Sequence, residues 1–98
     1  MENLEFNYPS ANRQVTGRSH VGVAGSGDME LLMQPSETSE AHVSVLTSVN
    51  GFGHAWKAVM DRFFSKYDGA VRIEINDAGA TPGIVMLRLE QAVEALGK

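Results

Sequence analysis

Residues 41–76, AHVSVLTSVNGFGHAWKAVMDRFFSKYDGAVRIEIN, change hydrophobic period twice. Over 41–48 the pattern alternates. Val43 and Val45 share one face, and His42, Ser44 and Leu46 share the other, as in a half-buried strand. From Phe52 the spacing lengthens: Phe52, Trp56, Val59, Phe63 and Tyr67 fall on one stripe of an amphipathic helix, with Lys57, Asp61, Arg62 and Lys66 on its other faces. Asn50 stands where a helix N-cap belongs, and Gly69 where a left-handed C-terminal cap belongs. Val71, Ile73 and Ile75 then alternate with Arg72, Glu74 and Asn76, a second strand. The segment reads as strand, helix, strand.

Three further strands precede it. Leu4, Phe6 and Tyr8 alternate with Glu5 and Asn7 up to Pro9; His20–Ala24 form a short apolar run; Met29, Leu31 and Met33 alternate with Glu30, Leu32 and Gln34 up to Pro35. Residues 9–19 and 35–40 are polar and read as loops. After a loop at 77–80, Thr81 as N-cap and Pro82 at the first helical position open a second helix. Val85, Leu89, Ala92, Val93 and Leu96 give it an apolar stripe, and Gly97 ends it. The order β-β-β-β-α-β-α predicts an α+β domain with a mostly antiparallel sheet of four to five strands and both helices on one face.

Composition limits what such a domain does. Ninety-eight residues make one domain, over residues 1–98, and are too few for a barrel or a full dinucleotide-binding fold. With 43% hydrophobic and 20% charged residues the chain has the makeup of a folded protein. It has no cysteine, so disulfides, thiolate metal sites and a cysteine nucleophile are excluded. A net charge of −4 argues against nucleic-acid binding. No apolar run approaches the roughly 20 residues of a membrane span, and the start, Met1-Glu2-Asn3-Leu4-Glu5, is acidic where a secretory signal would be basic. The expectation is a cytoplasmic protein with no membrane and no nucleic-acid partner.

Catalytic clusters are not apparent. His20, His42 and His54 are widely separated, without metal-ligand spacing. The densest local feature is Gly25-Ser26-Gly27-Asp28. It reads first as a hairpin turn, since glycine supplies positive φ and aspartate stabilises turns, and second as a serine made accessible by glycines on both sides, with Asp28 holding a metal or orienting an incoming group. A phosphate-cradling loop is a weaker third reading, because no Lys-Ser/Thr pair follows. A hydrolase using Ser26 would need a histidine base, and His20 lies about 20 Å away along an extended strand. Asp77-Ala78-Gly79-Ala80-Thr81-Pro82-Gly83 is a second feature: a helix start whose glycines permit close approach to the backbone. Thr47-Ser48-Val49-Asn50-Gly51 before Trp56 is a third, read most simply as the lead into the first helix.

These segments occur in an order that resembles a known family. Val23-Ala24-Gly25-Ser26-Gly27-Asp28-Met29-Glu30, Thr47-Ser48-Val49-Asn50, Trp56, Asp77-Ala78-Gly79-Ala80-Thr81-Pro82-Gly83 and Leu87-Arg88-Leu89-Glu90-Gln91 together resemble the acyl carrier protein, or delta subunit, family of malonate decarboxylase. The family is related to the acyl carrier subunit of citrate lyase, which shares the Ser-Gly-Asp turn and the last helix. The 79–83 segment is closer to the malonate type. The resemblance implies a non-catalytic carrier whose Ser26 bears, through a phosphodiester, 2′-(5″-phosphoribosyl)-3′-dephospho-coenzyme A, with Gly25, Gly27 and Asp28 forming the attachment turn. It implies acetyl and malonyl thioesters on the cofactor thiol. The implied partners are acyl transferase and decarboxylase subunits, a prosthetic-group transferase and a malonyl transferase. Arg18, with Arg13, is a candidate phosphate contact, since guanidinium forks suit phosphate. The competing expectations are a citrate lyase-type carrier, a ferredoxin-like interaction module whose open sheet face would be basic and aromatic, and a small serine hydrolase.

Overall fold

The computed structural model describes residues 1–9 and 11–96. Its elements are β1 (Glu2–Tyr8), β2 (Arg13–Gln14), β3 (Ser19–Gly22), β4 (Met29–Pro35), β5 (Ala41–Thr47), α1 (Gly53–Phe64), β6 (Gly69–Asp77) and α2 (Pro82–Leu96). The main sheet runs β1-β5-β6-β4-β3. Its neighbours are antiparallel except for β5 and β6, which pair in parallel with Val43 opposite Ile73 and Val45 opposite Ile75. Parallel neighbours need a crossover connection, and α1 is that connection. The expected α+β architecture is present, with a parallel pair at its centre and one more strand than expected. That strand is β2, two residues in the segment read as a loop, which pair with Gly69 and Ala70 at the start of β6.

Period-two alternation places Met29, Leu31, Met33, Val43, Val45 and Ile73 on one sheet face, each wholly shielded from solvent. Both helices pack there, α1 through Trp56, Met60 and Phe63 and α2 through Val85, Leu89 and Ala92. Ser19 Oγ fastens β3 to α2 by donating to Ala92 O at 2.9 Å. Tyr8 Oη fastens β1 to α1 by donating to Asp61 at 2.7 Å; burial first, and then this carboxylate, raise the phenol's pKa far above its ordinary value.

Several boundaries differ from the sequence reading. The second strand ends at Gly22, whose φ of +78° breaks it, and Val23 lies 72% exposed beyond it. Phe52, not Asn50, is the N-cap residue of α1, and no side chain caps that end. Phe52 is 55% exposed, and Met60 takes the place in the core that the stripe gave to it. The helix stops at Phe64, so Gly69 does not cap it. Gly69 instead opens β6, where a Cβ would meet Tyr67 Oη at 2.4 Å. Thr81 is the N-cap expected, its Oγ1 accepting the Ile84 N–H at 3.3 Å. The expected stop at Gly97 lies outside the described residues.

Candidate functional site

The Gly25–Asp28 segment is a tight turn at one end of the sheet. The Asp28 N–H donates to Gly25 O at 2.9 Å, and Gly27 has a φ of +76°. An i to i+3 bond with positive φ at the third position is the pattern of a type II turn, which puts Ser26 at the projecting second position. Ser26 is exposed and its hydroxyl makes no hydrogen bond among the described residues. A Cβ built on Gly25 or Gly27 meets nothing within 4 Å. Gly27 is accounted for by its left-handed backbone. Gly25 has neither a positive φ nor a close neighbour, so nothing among the described residues requires a glycine there.

The turn is open but held in place. The Gly27 N–H donates to Ala78 O at 2.8 Å, and the Ala78 N–H to Asp28 O at 2.9 Å, which ties the turn to the loop after β6. Asp28 Oδ1 accepts the Met29 N–H at 2.7 Å. Arg88 reaches across from α2 and donates through Nε to Asp28 Oδ1 at 3.1 Å and through Nη2 to Oδ2 at 2.6 Å. Gln91 Oε1 steadies the guanidinium by accepting from Nη1 at 2.9 Å. The forked bond from Arg88, then the Met29 N–H, hold the Asp28 carboxyl below the usual carboxylate range. Gly22 makes room for this clamp: a Cβ there would fall 2.1 Å from Met29 O and 3.2 Å from Arg88 Nε.

With both oxygens taken by Arg88 and Met29, Asp28 anchors the turn, and the reading of it as a metal ligand gives way. No group of three metal-ligating side chains occurs among the described residues. Arg88 is the arginine at this turn that the residue-by-residue reading missed. Its contact spans 60 positions, and its only sequence signal was membership in the Leu87–Gln91 segment. Arg18 is not brought to Ser26. It lies in a cleft with Gln34, Pro35, His42 and Arg72, at the other end of β4 and about 20 Å of strand away. Arg13 is likewise elsewhere, paired with Asp68 at 3.0 Å.

The other two sequence segments converge on the same end. The buried Asp77 carboxylate accepts from Thr47 Oγ1 at 2.8 Å, the Gly79 N–H at 3.1 Å and the Ala80 N–H at 2.9 Å. The Ser48 N–H donates to Asp77 O at 3.1 Å. The loops after β5 and β6 are thus one unit, joined to the Ser26 turn through Ala78. His20, the histidine nearest to Ser26 in sequence, is not offered to it as a base: it is engaged with Glu30 at 2.8 Å on the open sheet face. That face carries Glu5, Glu30 and Glu74 against one arginine, Arg72, with His42 contacting Glu5 and Asn7. Its acidic character does not suit an RNA platform.

A small α+β platform that presents an accessible serine on a rigid turn, with no metal-ligating cluster among the described residues, has the layout of a carrier domain. Comparison with known proteins specifies the carrier. A family profile described as "Malonate decarboxylase delta subunit (MdcD)" matches residues 16–96. The malonate decarboxylase acyl carrier protein of Pseudomonas syringae pv. tomato is 46% identical over 98 residues, covering 99% of this chain and 98% of that one. That of Azotobacter vinelandii is 43% identical over 95 residues, covering 96% and 95%. A chain in the crystal structure of a Pseudomonas malonate decarboxylase hetero-tetramer in complex with malonate superposes with a TM-score of 0.93 at 44% identity, covering 99% of this chain and 100% of that one. The chain belongs to the malonate decarboxylase acyl carrier protein family, as a carrier and not a catalytic subunit. No described helix is long and apolar enough to cross a membrane.

Proposed function

We propose that this protein carries acyl groups for malonate decarboxylation on a prosthetic group joined to Ser26 by a phosphodiester, 2′-(5″-phosphoribosyl)-3′-dephospho-coenzyme A. The observation that carries this reading is the exposed, unpartnered Ser26 on a turn whose glycines leave the hydroxyl uncovered, Gly25 having no other reason to be glycine. The residues fit the group. A modifying transferase can reach the hydroxyl from outside, and a bulky phosphodiester meets no neighbouring side chain at Gly25 or Gly27. When attached, the group supplies a terminal thiol able to hold acetyl and malonyl as thioesters, a thiol the chain itself lacks, having no cysteine.

The chain's own part is presentation. Ala78 and Arg88 fix the turn so that Ser26 sits in one place relative to the sheet, and Asp28 transmits that hold to the turn. The partners on this reading are the acyl transferase and decarboxylase subunits of the complex, a prosthetic-group transferase and a malonyl transferase; the likeness to a chain of a malonate decarboxylase hetero-tetramer supports the first two. The matched relatives favour this assignment over a citrate lyase-type carrier.

Reconstitution tests it. The remaining subunits, supplied with this protein after treatment by the prosthetic-group transferase, decarboxylate malonate. Ser26→Ala removes that turnover while leaving the circular dichroism spectrum and the unfolding midpoint unchanged. Turnover at the wild-type rate with folded Ser26→Ala would overturn the proposal.

A further inference from the structure

The end of the molecule that bears Ser26 also holds an apolar cleft. It lies where the starts of α1 and α2 meet, with a volume of about 360 Å³. Trp56, Val59 and Val85 form its walls, Phe52 and Val49 its exposed rim, and Thr47 and Asp77 its floor. Gly79 and Ala80 line one side. They directly follow Ala78, whose carbonyl accepts the Gly27 N–H, so the cleft begins one hydrogen bond from the attachment turn. Two sequence segments with no part in holding Ser26 itself, Thr47-Ser48-Val49-Asn50 and Gly79-Ala80-Thr81-Pro82-Gly83, are thereby given a common place.

Resting on the carrier reading above, we propose that this cleft shelters the S-acetyl end of the arm carried on Ser26, and does not shelter the S-malonyl end. Proximity supplies the first reason. The tether keeps the acyl end at high effective concentration beside the cleft, so a weak site suffices. Chemistry supplies the second. No lysine, arginine or histidine lines the cleft among the described residues, and its single charged group is the Asp77 carboxylate. An uncharged acetyl thioester trades water for Trp56, Val59 and Val85. A malonyl carboxylate would lose its hydration against those walls and meet a like charge on the floor. Burying one methyl group is worth roughly a fourfold preference, a protection that a partner subunit readily reverses.

Trp56 is the only tryptophan in the chain, so it reports on the cleft directly. Protein loaded by the prosthetic-group transferase is first shown by peptide mass to be modified at Ser26. It is then prepared as free thiol, S-acetyl and S-malonyl forms. The indole N–H resonance and fluorescence of Trp56 are compared across the three, together with the rate at which hydroxylamine cleaves the acetyl thioester. The acetyl form shifts the Trp56 signals, the malonyl and free-thiol forms coincide, and hydroxylamine attack is about fourfold slower than on acetyl-coenzyme A in solution. Ala55→Phe, which projects into the cleft from an exposed helix position, abolishes both the shift and the protection without unfolding the protein.

Identical Trp56 signals in all three forms, an equal shift in the malonyl form, or protection that survives Ala55→Phe would each overturn the inference. So would an Ala55→Phe variant that keeps the acetyl-dependent shift but no longer joins the complex, which would make the cleft a seat for a partner's side chain. Absence of mass on Ser26 would instead defeat the carrier reading itself.

Discussion

At Gly22 a side chain is excluded twice, by a φ of +78° and by Met29 O at 2.1 Å from any Cβ. The left-handed backbone alone costs a non-glycine residue about 1–2 kcal/mol, so Gly22→Ala is expected to lower stability by more than that in urea unfolding and to displace Arg88 from Asp28. Arg88→Ala removes the clamp and leaves the fold. Its expected signature is several-fold faster amide exchange at Gly27 and Asp28, with little change at Ile73 in the core. The Asp28 carboxyl gives a test by pH. Its pKa is lower in the folded protein than in the unfolded chain, so its stabilising contribution is fully present above the unfolded value near 3.9 and is lost as pH falls through the folded one. A carboxyl titration by NMR should place the Asp28 midpoint below about 3.9, and return it towards that value in Arg88→Ala. Ser26, Gly27 and Asp28 were legible as a turn because turn chemistry is local. Arg88 was not, because a side chain that closes a contact across 60 positions leaves no mark in its own neighbourhood.

Elements were legible wherever a face is buried over several residues. β4, β5 and β6 keep apolar residues at alternate, core-facing positions, with Leu32 and Leu46 the exceptions on the outer face, and each strand lies over the residues that alternation marked. What escaped has physical causes. β2 is too short to have a period, the parallel pairing of β5 with β6 is set by the α1 crossover and not by either strand, and the start of α1 carries no side-chain cap to mark it. For α2 the cap and the core face predict separable costs. Thr81→Ala should lower stability by about 1 kcal/mol. Leu89, wholly buried between the helix and the sheet, should cost roughly 2–5 kcal/mol when cut to alanine. Thermal and urea unfolding of the two variants should rank them in that order; equal losses would mean that α2 is held by something other than its core stripe.

Across the whole molecule, one end of the sheet collects the Ser26 turn, the loop after β5 and the loop after β6, while Arg18 and Arg72 lie at the other. That polarity brings three scattered sequence segments onto one surface. It also explains why the candidate site was only half readable, since each segment alone is an ordinary turn or helix start. Because Ser26 is exposed and unpartnered, Ser26→Ala should change global stability by less than about 0.5 kcal/mol, so a loss of function in it is not a loss of fold. The most direct test of the account is the intact mass of this protein isolated from cells that hold the complete modifying machinery, followed by peptide mapping. A single addition equal to the phosphoribosyl-dephospho-coenzyme A group, confined to the peptide containing Ser26 and missing from Ser26→Ala, is the result the account predicts. An unmodified chain in an active complex, or the same addition on another residue, would contradict it.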